Sequence, residues 1–329
     1  MRESTLGAKR PTTLLDVTLR DGGYVNGHAW TVQEASDVVG TMEAAGIPFV
    51  EVGYLRTASG ESLNPSKRCE PAYLEALATG IDRTRLVVMA RPSDGGPQLI
   101  RGLARRGVGM LRVLAASLNV ESAASHIAAG REEGLCVAVN LTHVSRFSPE
   151  QIAAAAGHAA RAGAQIVYLA DSNGSLYPED VAARISAAVQ AVPASPATRS
   201  QDEPVRIGFH AHDNLGLAFA NARAALEAGA SYLDGSLLGI GKGGGNLPIE
   251  LIAGYLAVTV GSDVRLDPLM TDRVAAGARL RMLVDGGSSS LITGLLDLSL
   301  DQYGLFKEQT AHHGYDWLLR YGLQETLTP

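Results

Sequence analysis

The sequence has 329 residues, a formal net charge of −6 and 46% hydrophobic residues. This mildly acidic composition without a basic stripe is unlike that of proteins that bind nucleic acids or anionic membranes. No apolar run approaches the roughly 20 residues of a membrane span, and Cys69 and Cys136 are too few for a disulfide framework. Residues 1–11 are polar and predict a loose tail rather than a signal peptide. Together these features predict a cytoplasmic protein.

From Thr13 onward, short runs rich in β-branched residues alternate with alanine-rich stretches of helical pattern. Residues 31–45 are typical of a helix that Gly46 ends, and Ser148-Pro149-Glu150-Gln151 is typical of a capped helix start. Eight runs have the length and composition of strands: Leu14–Leu19, Phe49–Tyr54, Leu86–Ala90, Met110–Ala115, Cys136–Leu141, Ile166–Ala170, Arg206–Ala211 and Ser231–Gly235.

Strands that alternate with helices form parallel βαβ units, and eight such units in roughly 230 residues favour a closed barrel. The first strand is not followed by Gly-x-Gly-x-x-Gly, the fingerprint of open nucleotide-binding sheets. The sequence therefore predicts an α/β fold, a (β/α)8 TIM barrel with a C-terminal helical appendage.

The predicted chain has three parts. Residues 1–11 form a flexible tail, residues 12–262 form the catalytic barrel, and residues 263–329 form a C-terminal helical region. The segment Val192–Pro204, rich in proline and serine, predicts a long loop before the seventh strand. In the C-terminal region we expect about three helices, including Pro268–Val284 and Leu291–Ser299. We favour a cap on the barrel or a dimer surface for this region over the alternative, a direct contribution to the site.

His210 and His212 stand two residues apart at the end of an apolar strand. Because strand side chains alternate between faces, both imidazoles point the same way. Neutral ring nitrogens are good ligands for divalent metals. A single buried histidine is more often satisfied by backbone hydrogen bonds, but this pair, followed by Asp213 and Asn214, favours metal binding.

Two other strand ends have features of a ligand-binding site: one carries a carboxylate, and the other leads into a glycine-rich loop. The first strand leads into Arg20-Asp21-Gly22-Gly23, a carboxylate beside a fixed cation, and we expect both side chains to act on a ligand because adjacent residues rarely pair well. The eighth strand leads into Gly239–Asn246, whose glycines indicate that the backbone approaches something closely. Strands seven, eight and one are consecutive in a closed barrel, so four side chains can converge on one ion: Asp21, His210, His212 and Asn246.

These motifs resemble those of the DRE-TIM metallolyases, whose members include hydroxymethylglutaryl-CoA lyase, isopropylmalate and homocitrate synthases, and 4-hydroxy-2-oxovalerate aldolase. The resemblance rests on Thr18–Gly22, on His210-x-His212-x-Asn214 and on the glycine-rich loop, and it covers residues 13–252. The aldolase branch is most similar, because Tyr168–Ser172 and the loop before Leu247-Pro248 match its motifs. It implies a lyase that makes or cleaves a carbon–carbon bond of a 4-hydroxy-2-oxo acid through a metal-bound pyruvate-type enolate.

The resemblance also implies roles for individual residues. Asp21, His210 and His212 would hold a divalent metal ion, with Mn²⁺ preferred and Mg²⁺, Co²⁺ or Zn²⁺ as alternatives, and Asn246 would be a fourth ligand. Arg20 would neutralise the enolate oxygen. Substrate binding is implied for Ser172, at the carboxylate, and for Glu51, which would also orient Arg20. The implied partners are a small 2-oxo acid, a further copy of the chain in a homodimer or higher homo-oligomer, and an aldehyde dehydrogenase.

The sequence departs from the aldolases at the catalytic base. Tyr24 stands where they carry a histidine, and their C-terminal tyrosine has no match, its place falling near Ser299. The candidate bases are Tyr24, His28 and His143, the last of which has a counterpart in the aldolases. We favour His143 because the end of its strand faces the barrel mouth and a histidine titrates near pH 7.

Other functions stay open at this point. A Claisen-type synthase that joins an acyl-CoA to a 2-oxo acid would use the same metal site, and Arg56, Lys67 and Arg68 are the basic residues that could bind its CoA. A relative that binds metal without catalysis is a second alternative, because the family's histidine and tyrosine are missing. Non-haem iron oxygenases also use two histidines and a carboxylate, but Arg20 beside the site fits enolate chemistry better.

Overall fold

The computed structural model describes residues 12–57, 64–192, 204–270, 293, 296–314, 317–318 and 321–324. Eight parallel strands form a closed barrel in which each strand pairs with the next in the chain and β8 pairs with β1. The predicted TIM barrel is therefore confirmed. Its strands are β1 Thr13–Asp16, β2 Phe49–Leu55, β3 Arg85–Ala90, β4 Val108–Ala115, β5 Cys136–Leu141, β6 Ile166–Asp171, β7 Arg206–Ala211 and β8 Tyr232–Gly235.

Helices alternate with the strands and pack on the outside of the barrel. Thr31 and Ser148 both form capping boxes, with Glu34 and Gln151 respectively, which confirms the two helix starts that the sequence predicted. Gly46 ends the first helix in the left-handed conformation, with φ 78°. The helices are α1 Val32–Ala45, α2 Pro71–Ala78, α3 Ala124–Glu132, α4 Pro149–Ala162, α5 Pro178–Ala191, α6 Ala218–Glu227, α7 Ile249–Val260 and α8 Tyr303–His313.

The first strand is shorter than the sequence predicted. It ends at Asp16 rather than at Leu19, because the Asp16 carboxylate accepts hydrogen bonds from the backbone N–H and the hydroxyl of Thr18. This local turn competes with the sheet for the backbone. It starts the loop that carries Arg20 and Asp21 across the barrel mouth.

Inward-facing side chains change from apolar to charged along the strands. On β4, Met110 belongs to the apolar cluster inside the barrel, and the next inward position, Arg112, is fully buried among charged partners. A larger apolar core lies between the sheet and the helices. Polar groups therefore accumulate toward the C-terminal ends of the strands, where TIM barrels place their reactive groups.

Part of the C-terminal region lies against the barrel. Asp297 accepts hydrogen bonds through Oδ1 from Ser145 Oγ at 2.9 Å, from Asn173 Nδ2 at 2.6 Å and from Ser175 Oγ at 2.8 Å. These contacts join the C-terminal region to the loops after β5 and β6. Among the described residues no helix is long and apolar enough to cross a membrane.

Several expectations fall on residues outside the described ranges. They are the tail at 1–11, most of the loop at 192–204, most of the helix expected at 268–284, and residues 291, 292, 294 and 295. The helix expected at 291–299 is wrong at its C-terminal end, because residues 296–299 are not helical and Asp297 has a φ of 51°. Residues 266–270 are helical, and α8 is a further helix of the C-terminal region.

Candidate active site

A cavity of about 410 Å³ opens at the C-terminal ends of the strands. Among the residues singled out from the sequence, seven line it: Arg20, Asp21, Tyr24, His143, Ser172, His210 and His212. Glu51, His28 and Asn246 are not among the lining residues. The cavity thus brings together side chains that follow β1, β5, β6 and β7.

Asp21, His210 and His212 form a cluster that could hold a metal ion. One ligand atom from each lies within 4.8 Å of the others, and all three residues are buried. Each histidine is oriented through Nδ1, which lies 2.9 Å from Asp234 Oδ2 for His210 and 3.1 Å from the Gly245 carbonyl oxygen for His212. Both acceptors lack a proton to donate, so each Nδ1 carries a hydrogen and each Nε2 is turned toward the cluster.

The two Nε2 atoms of His210 and His212 face each other at 3.3 Å. Burial lowers the pKa of His212 to about 3, despite the opposing charge of Asp21, so its ring stays neutral and its Nε2 offers a lone pair. At this separation that lone pair can face either a hydrogen on His210 Nε2 or a cation. The arrangement fits a bound cation.

Asn246 contacts Asp21 through its amide nitrogen. Its Nδ2 donates to Asp21 Oδ2 at 3.0 Å and to the Ile240 carbonyl oxygen at 2.9 Å. Its Oδ1 is buried without a hydrogen-bond partner among the described residues, although buried polar atoms are nearly always paired. Two imidazole nitrogens, a carboxylate and an amide oxygen suit a divalent metal ion.

Lack of space for a side chain explains a glycine in the loop Gly239–Asn246. A Cβ atom at Gly241 would collide with the Asn246 amide and would lie 3.0 Å from Asp21 Oδ2. The backbone of the loop therefore has to approach the proposed ligands directly, and a side chain at this position would displace them.

Arg20 is held by two carboxylates. Its Nε donates to Glu51 Oε2 at 2.7 Å and its NH1 donates to Asp21 Oδ1 at 2.6 Å. Burial alone would lower the pKa of Arg20, but Glu51 and Asp21 raise it above its ordinary value, so the guanidinium stays charged. Asp21 retains Oδ2 for the metal cluster.

Two expectations from the sequence are wrong here. Arg20 and Asp21 do pair although they are adjacent, because Asp21 has helical backbone angles, φ −76° and ψ −40°, that bring both side chains together. Glu51 is not a substrate-binding residue, because it is fully buried, does not line the cavity and is bonded to Arg20 and to Arg112 NH1 at 3.2 Å. Its position suits a residue that orients Arg20.

Arg112 lies between Glu51, which binds Arg20, and Asp234, which binds His210. This fully buried arginine contacts Glu51 and donates through NH2 to Asp234 Oδ2 at 2.7 Å. Burial alone would raise the pKa of Asp234, but Arg112 and His210 lower it below its ordinary value. Sequence reasoning missed Arg112 and Asp234, although a lone arginine inside the apolar strand β4 was a usable signal.

The three candidate bases occupy different places. Tyr24 lines the cavity, with its hydroxyl 3.1 Å from Tyr54 Oη, and His143 lines it on the other side, with its backbone N–H donating to Ser172 Oγ at 2.9 Å. His28 is buried behind the tyrosines, with ring centroids 5.1 Å from Tyr24 and 5.7 Å from Tyr54. Burial lowers the pKa of His28 to about 4, and it lowers the pKa of His143 with help from Lys242 and Arg146.

The C-terminal region contributes directly to the cavity. Ser299 and Asp301 are among its lining residues, so the expectation that the appendage supplies no site residues is wrong. Arg91, after β3, and Lys242, in the glycine-rich loop, also line the cavity and were not assigned from the sequence. They follow strands as single charged residues, without a motif spacing that would mark them.

Comparisons with known proteins agree with this geometry. The HMGL-like family model matches residues 114–273. A 4-hydroxy-2-oxovalerate aldolase from Chloroflexus aurantiacus is 34% identical over 249 residues, which are 75% of this chain and 69% of the relative. One from Thermus thermophilus is 32% identical over 254 residues, 76% of this chain and 70% of the relative. An oxaloacetate decarboxylase from Mycobacterium tuberculosis is 30% identical over 306 residues, 92% of this chain and 85% of the relative.

Solved structures share the fold. The N-terminal domain of a candidate aldolase from Bacteroides vulgatus has a TM-score of 0.78 at 22% identity, covering 94% of this chain and 99% of that one. An HMG-CoA lyase from Brucella melitensis has a TM-score of 0.66 at 19% identity, covering 83% of this chain and 100% of that one. The family-model match and the relatives described above lead to one conclusion: the chain belongs to the HMGL-like family, the DRE-TIM metallolyases.

Proposed function

We propose that the chain is a divalent-metal-dependent lyase that cleaves, or in reverse forms, the C3–C4 bond of a 4-hydroxy-2-oxo acid through the enolate of pyruvate. The facing Nε2 atoms of His210 and His212, 3.3 Å apart beside Asp21 and Arg20, carry this proposal. The relatives named 4-hydroxy-2-oxovalerate aldolase support it, since they are 32–34% identical over three quarters of this chain.

The residues fit a divalent ion. Asp21, His210, His212 and Asn246 would hold it, and we propose Mn²⁺, with Mg²⁺, Co²⁺ and Zn²⁺ also compatible with a donor set that has no thiolate. When bound, such an ion polarises a carbonyl oxygen and stabilises developing negative charge by several kcal/mol.

Arg20 supplies a fixed positive charge for the enolate oxygen. Glu51 and Asp21 hold its guanidinium in place before the reaction, so little reorganisation is needed when the charge develops. Preorganised donors of this kind contribute about 3 kcal/mol of transition-state stabilisation.

His143 is the proposed base. In the cleavage direction it takes the proton of the 4-hydroxyl group, the C3–C4 bond breaks, and the enolate receives a proton at C3. His143 lines the cavity next to Ser172, the proposed contact of the substrate carboxylate, and its lowered pKa keeps the ring neutral and able to accept a proton. Tyr24 remains the alternative base, because its hydroxyl also faces the cavity.

Cleavage of 4-hydroxy-2-oxovalerate tests the proposal. The protein is treated with a chelator, reloaded with Mn²⁺ and assayed for pyruvate formation. Turnover that depends on the ion and is lost in Asp21→Asn would support the proposal. Pyruvate formation that persists without metal, or in Asp21→Asn, would contradict it.

Decarboxylation of oxaloacetate is a second candidate for the same site. The relative named oxaloacetate decarboxylase aligns with 92% of the chain, against about 75% for the aldolases. Loss of the C4 carboxylate of oxaloacetate as CO₂ leaves the same enolate but needs no base for a 4-hydroxyl proton. His143→Ala should therefore keep oxaloacetate decarboxylation and lose aldol cleavage, and loss of both reactions in Asp21→Asn would show that they share the site.

The Claisen-type alternative has less support from the structure. Arg56 is paired with Asp94 at 2.7 Å and Arg68 with Glu70 at 3.0 Å, so two of the three basic candidates for a CoA site already have partners. A homodimer or higher homo-oligomer and an aldehyde dehydrogenase partner remain part of the proposal, and light scattering with and without such a dehydrogenase tests them.

A further inference from the structure

Two cationic side chains in the cavity have no role in the proposed lyase reaction. Arg91 follows β3 and Lys242 lies in the glycine-rich loop after β8, and both line the cavity. Among the described residues neither forms an ion pair, and the Lys242 ammonium has no hydrogen-bond partner there. Both charges are thus free for a ligand.

Arg91 is held in place by neutral groups. Its NH2 donates to Tyr24 Oη at 3.3 Å and to Tyr54 Oη at 3.4 Å, and its guanidinium lies 4.8 Å from the centroid of the Tyr54 ring. Its Nε is buried and has no hydrogen-bond partner within the described part of the chain. Arg56, on the same ring at 4.7 Å, offers a contrast because its charge is matched by Asp94.

The two cations enter the cavity from strand ends other than that of Ser172, the proposed contact of the pyruvate carboxylate. Arg91 follows β3 and Lys242 follows β8, whereas Ser172 follows β6, and the charge of Lys242 also acts on His143, the proposed base for the 4-hydroxyl group. Arg20 is already engaged by Glu51 and Asp21. An anion that reaches Arg91 and Lys242 would therefore extend beyond the reacting carbons.

Electrostatics favour an anion at this end of the cavity. Besides Asp21, Asp301 is the acidic residue among the described lining residues, and it is exposed. Lys242 and Arg91 are both half-buried in the cavity. A bound carboxylate would offset the cost of partly desolvating these two cations.

We propose that Arg91 and Lys242 form a subsite for a second carboxylate, so that the substrate is a 4-hydroxy-2-oxo acid whose far end is also a carboxylate. This inference rests on the proposed lyase function. On cleavage the C3–C4 bonding electrons enter the enolate, the 4-hydroxyl proton goes to the base, and the C4 fragment leaves as an oxo acid that keeps the second carboxylate. The enolate then takes one proton at C3 to give pyruvate.

The subsite suits a carboxylate that stays on the product of aldol cleavage rather than one that leaves as CO₂. Cations that bind a carboxylate stabilise it in the ground state, and this stabilisation disappears as the group becomes neutral CO₂. Arg91 and Lys242 would therefore slow decarboxylation of a group bound to them, while they would assist aldol cleavage by positioning the far end of the substrate.

Two substrates of equal length test the proposal. 4-Hydroxy-2-oxovalerate ends in a methyl group, and 4-hydroxy-2-oxoglutarate has a carboxylate in its place. With the Mn²⁺-loaded full chain we expect kcat/KM for the dicarboxylate to be about 10- to 100-fold higher, the range of a charge-assisted hydrogen bond. Arg91→Met and Lys242→Met should each lower this ratio by about 10-fold, and Arg91→Lys should retain part of it.

Arg56→Met is the matched control. Arg56 contacts the same Tyr54 ring but pairs with Asp94 and does not line the cavity, so the substrate ratio should stay unchanged. A wild-type preference for the methyl substrate, or an unchanged ratio in both Arg91→Met and Lys242→Met, would overturn the subsite. Exchange of pyruvate methyl hydrogens needs no second carboxylate, so its absence in the wild type would count against the lyase function itself, whereas exchange with a methyl preference would count against the subsite alone.

Discussion

The Nε2 atoms of His210 and His212 face each other at 3.3 Å, and each ring is fixed by an acceptor on its other nitrogen. The rings are therefore arranged for a cation before it binds. For His210 the acceptor is Asp234, a buried anion that Arg112 holds in place. Metal affinity should accordingly depend on a residue that is not itself a ligand.

Asp234→Asn should weaken Mn²⁺ binding about 10- to 100-fold, because the amide no longer holds His210 in the required tautomer. Isothermal titration calorimetry on the chelator-treated protein measures this change. Asp37→Asn, on the exposed face of α1, is the control and should bind Mn²⁺ as the wild type does. Equal affinities in Asp234→Asn and wild type would show that Asp234 does not orient the ligand.

Arg112→Met should lower the free energy of unfolding by about 3–5 kcal/mol, because it leaves Glu51 and Asp234 buried without their cation. Urea unfolding measures the loss. Arg223→Met removes a surface pair with Glu227 and should cost less than about 1 kcal/mol. If the two variants were equally stable, the buried network would not contribute as described.

Arg20→Lys should lower kcat at least about 10²-fold with metal content unchanged. Lysine keeps the charge but lacks the planar fork that reaches Glu51, Asp21 and the substrate together. Steady-state kinetics with metal analysis separates the two effects. Arg56→Lys, outside the cavity, is the matched substitution and should keep wild-type kcat. An active Arg20→Lys enzyme would mean that Arg20 is structural.

The pH dependence of aldol cleavage should reflect the pKa of His143. A base acts in its neutral form, so activity rises with pH through its pKa and stays level above it. Because burial, Lys242 and Arg146 lower the pKa of His143 from 6.5, the rising limb should lie below pH 6.5. His143→Ala should abolish cleavage, whereas His158→Ala, half-exposed on α4 and outside the cavity, should not. A rising limb well above pH 8 that Tyr24→Phe removes would identify Tyr24 as the base.

The barrel and the metal cluster could be predicted because their signals are local. Alternating strands and helices indicate the fold, and His210-x-His212 places two imidazoles on one face of β7 by strand geometry alone. The participation of Asp21 followed from the consecutive positions of β7, β8 and β1 around a closed barrel. The boundaries at residues 12 and 262 remain predictions.

The remaining site residues depend on barrel closure. Arg112, Asp234 and Glu51 come from β4, β8 and β2, and their contacts join residues up to 122 positions apart. Arg91 and Lys242 reach the cavity from separate loops without a shared motif. The pairing of Arg20 with Asp21 depends on the turn after β1, which strand periodicity does not specify.

Deuterium exchange of the pyruvate methyl group, followed by NMR, tests the central claim most directly, because enolate formation needs only the metal ligands, Arg20 and a base. The Mn²⁺-loaded wild type should exchange its methyl hydrogens, and the chelator-treated protein should not. Asp21→Asn, shown to be folded by circular dichroism, should exchange at least about 10²-fold more slowly. Wild-type exchange that is absent with Mn²⁺, or equally fast after chelation or in Asp21→Asn, would contradict the assignment of this site to enolate chemistry.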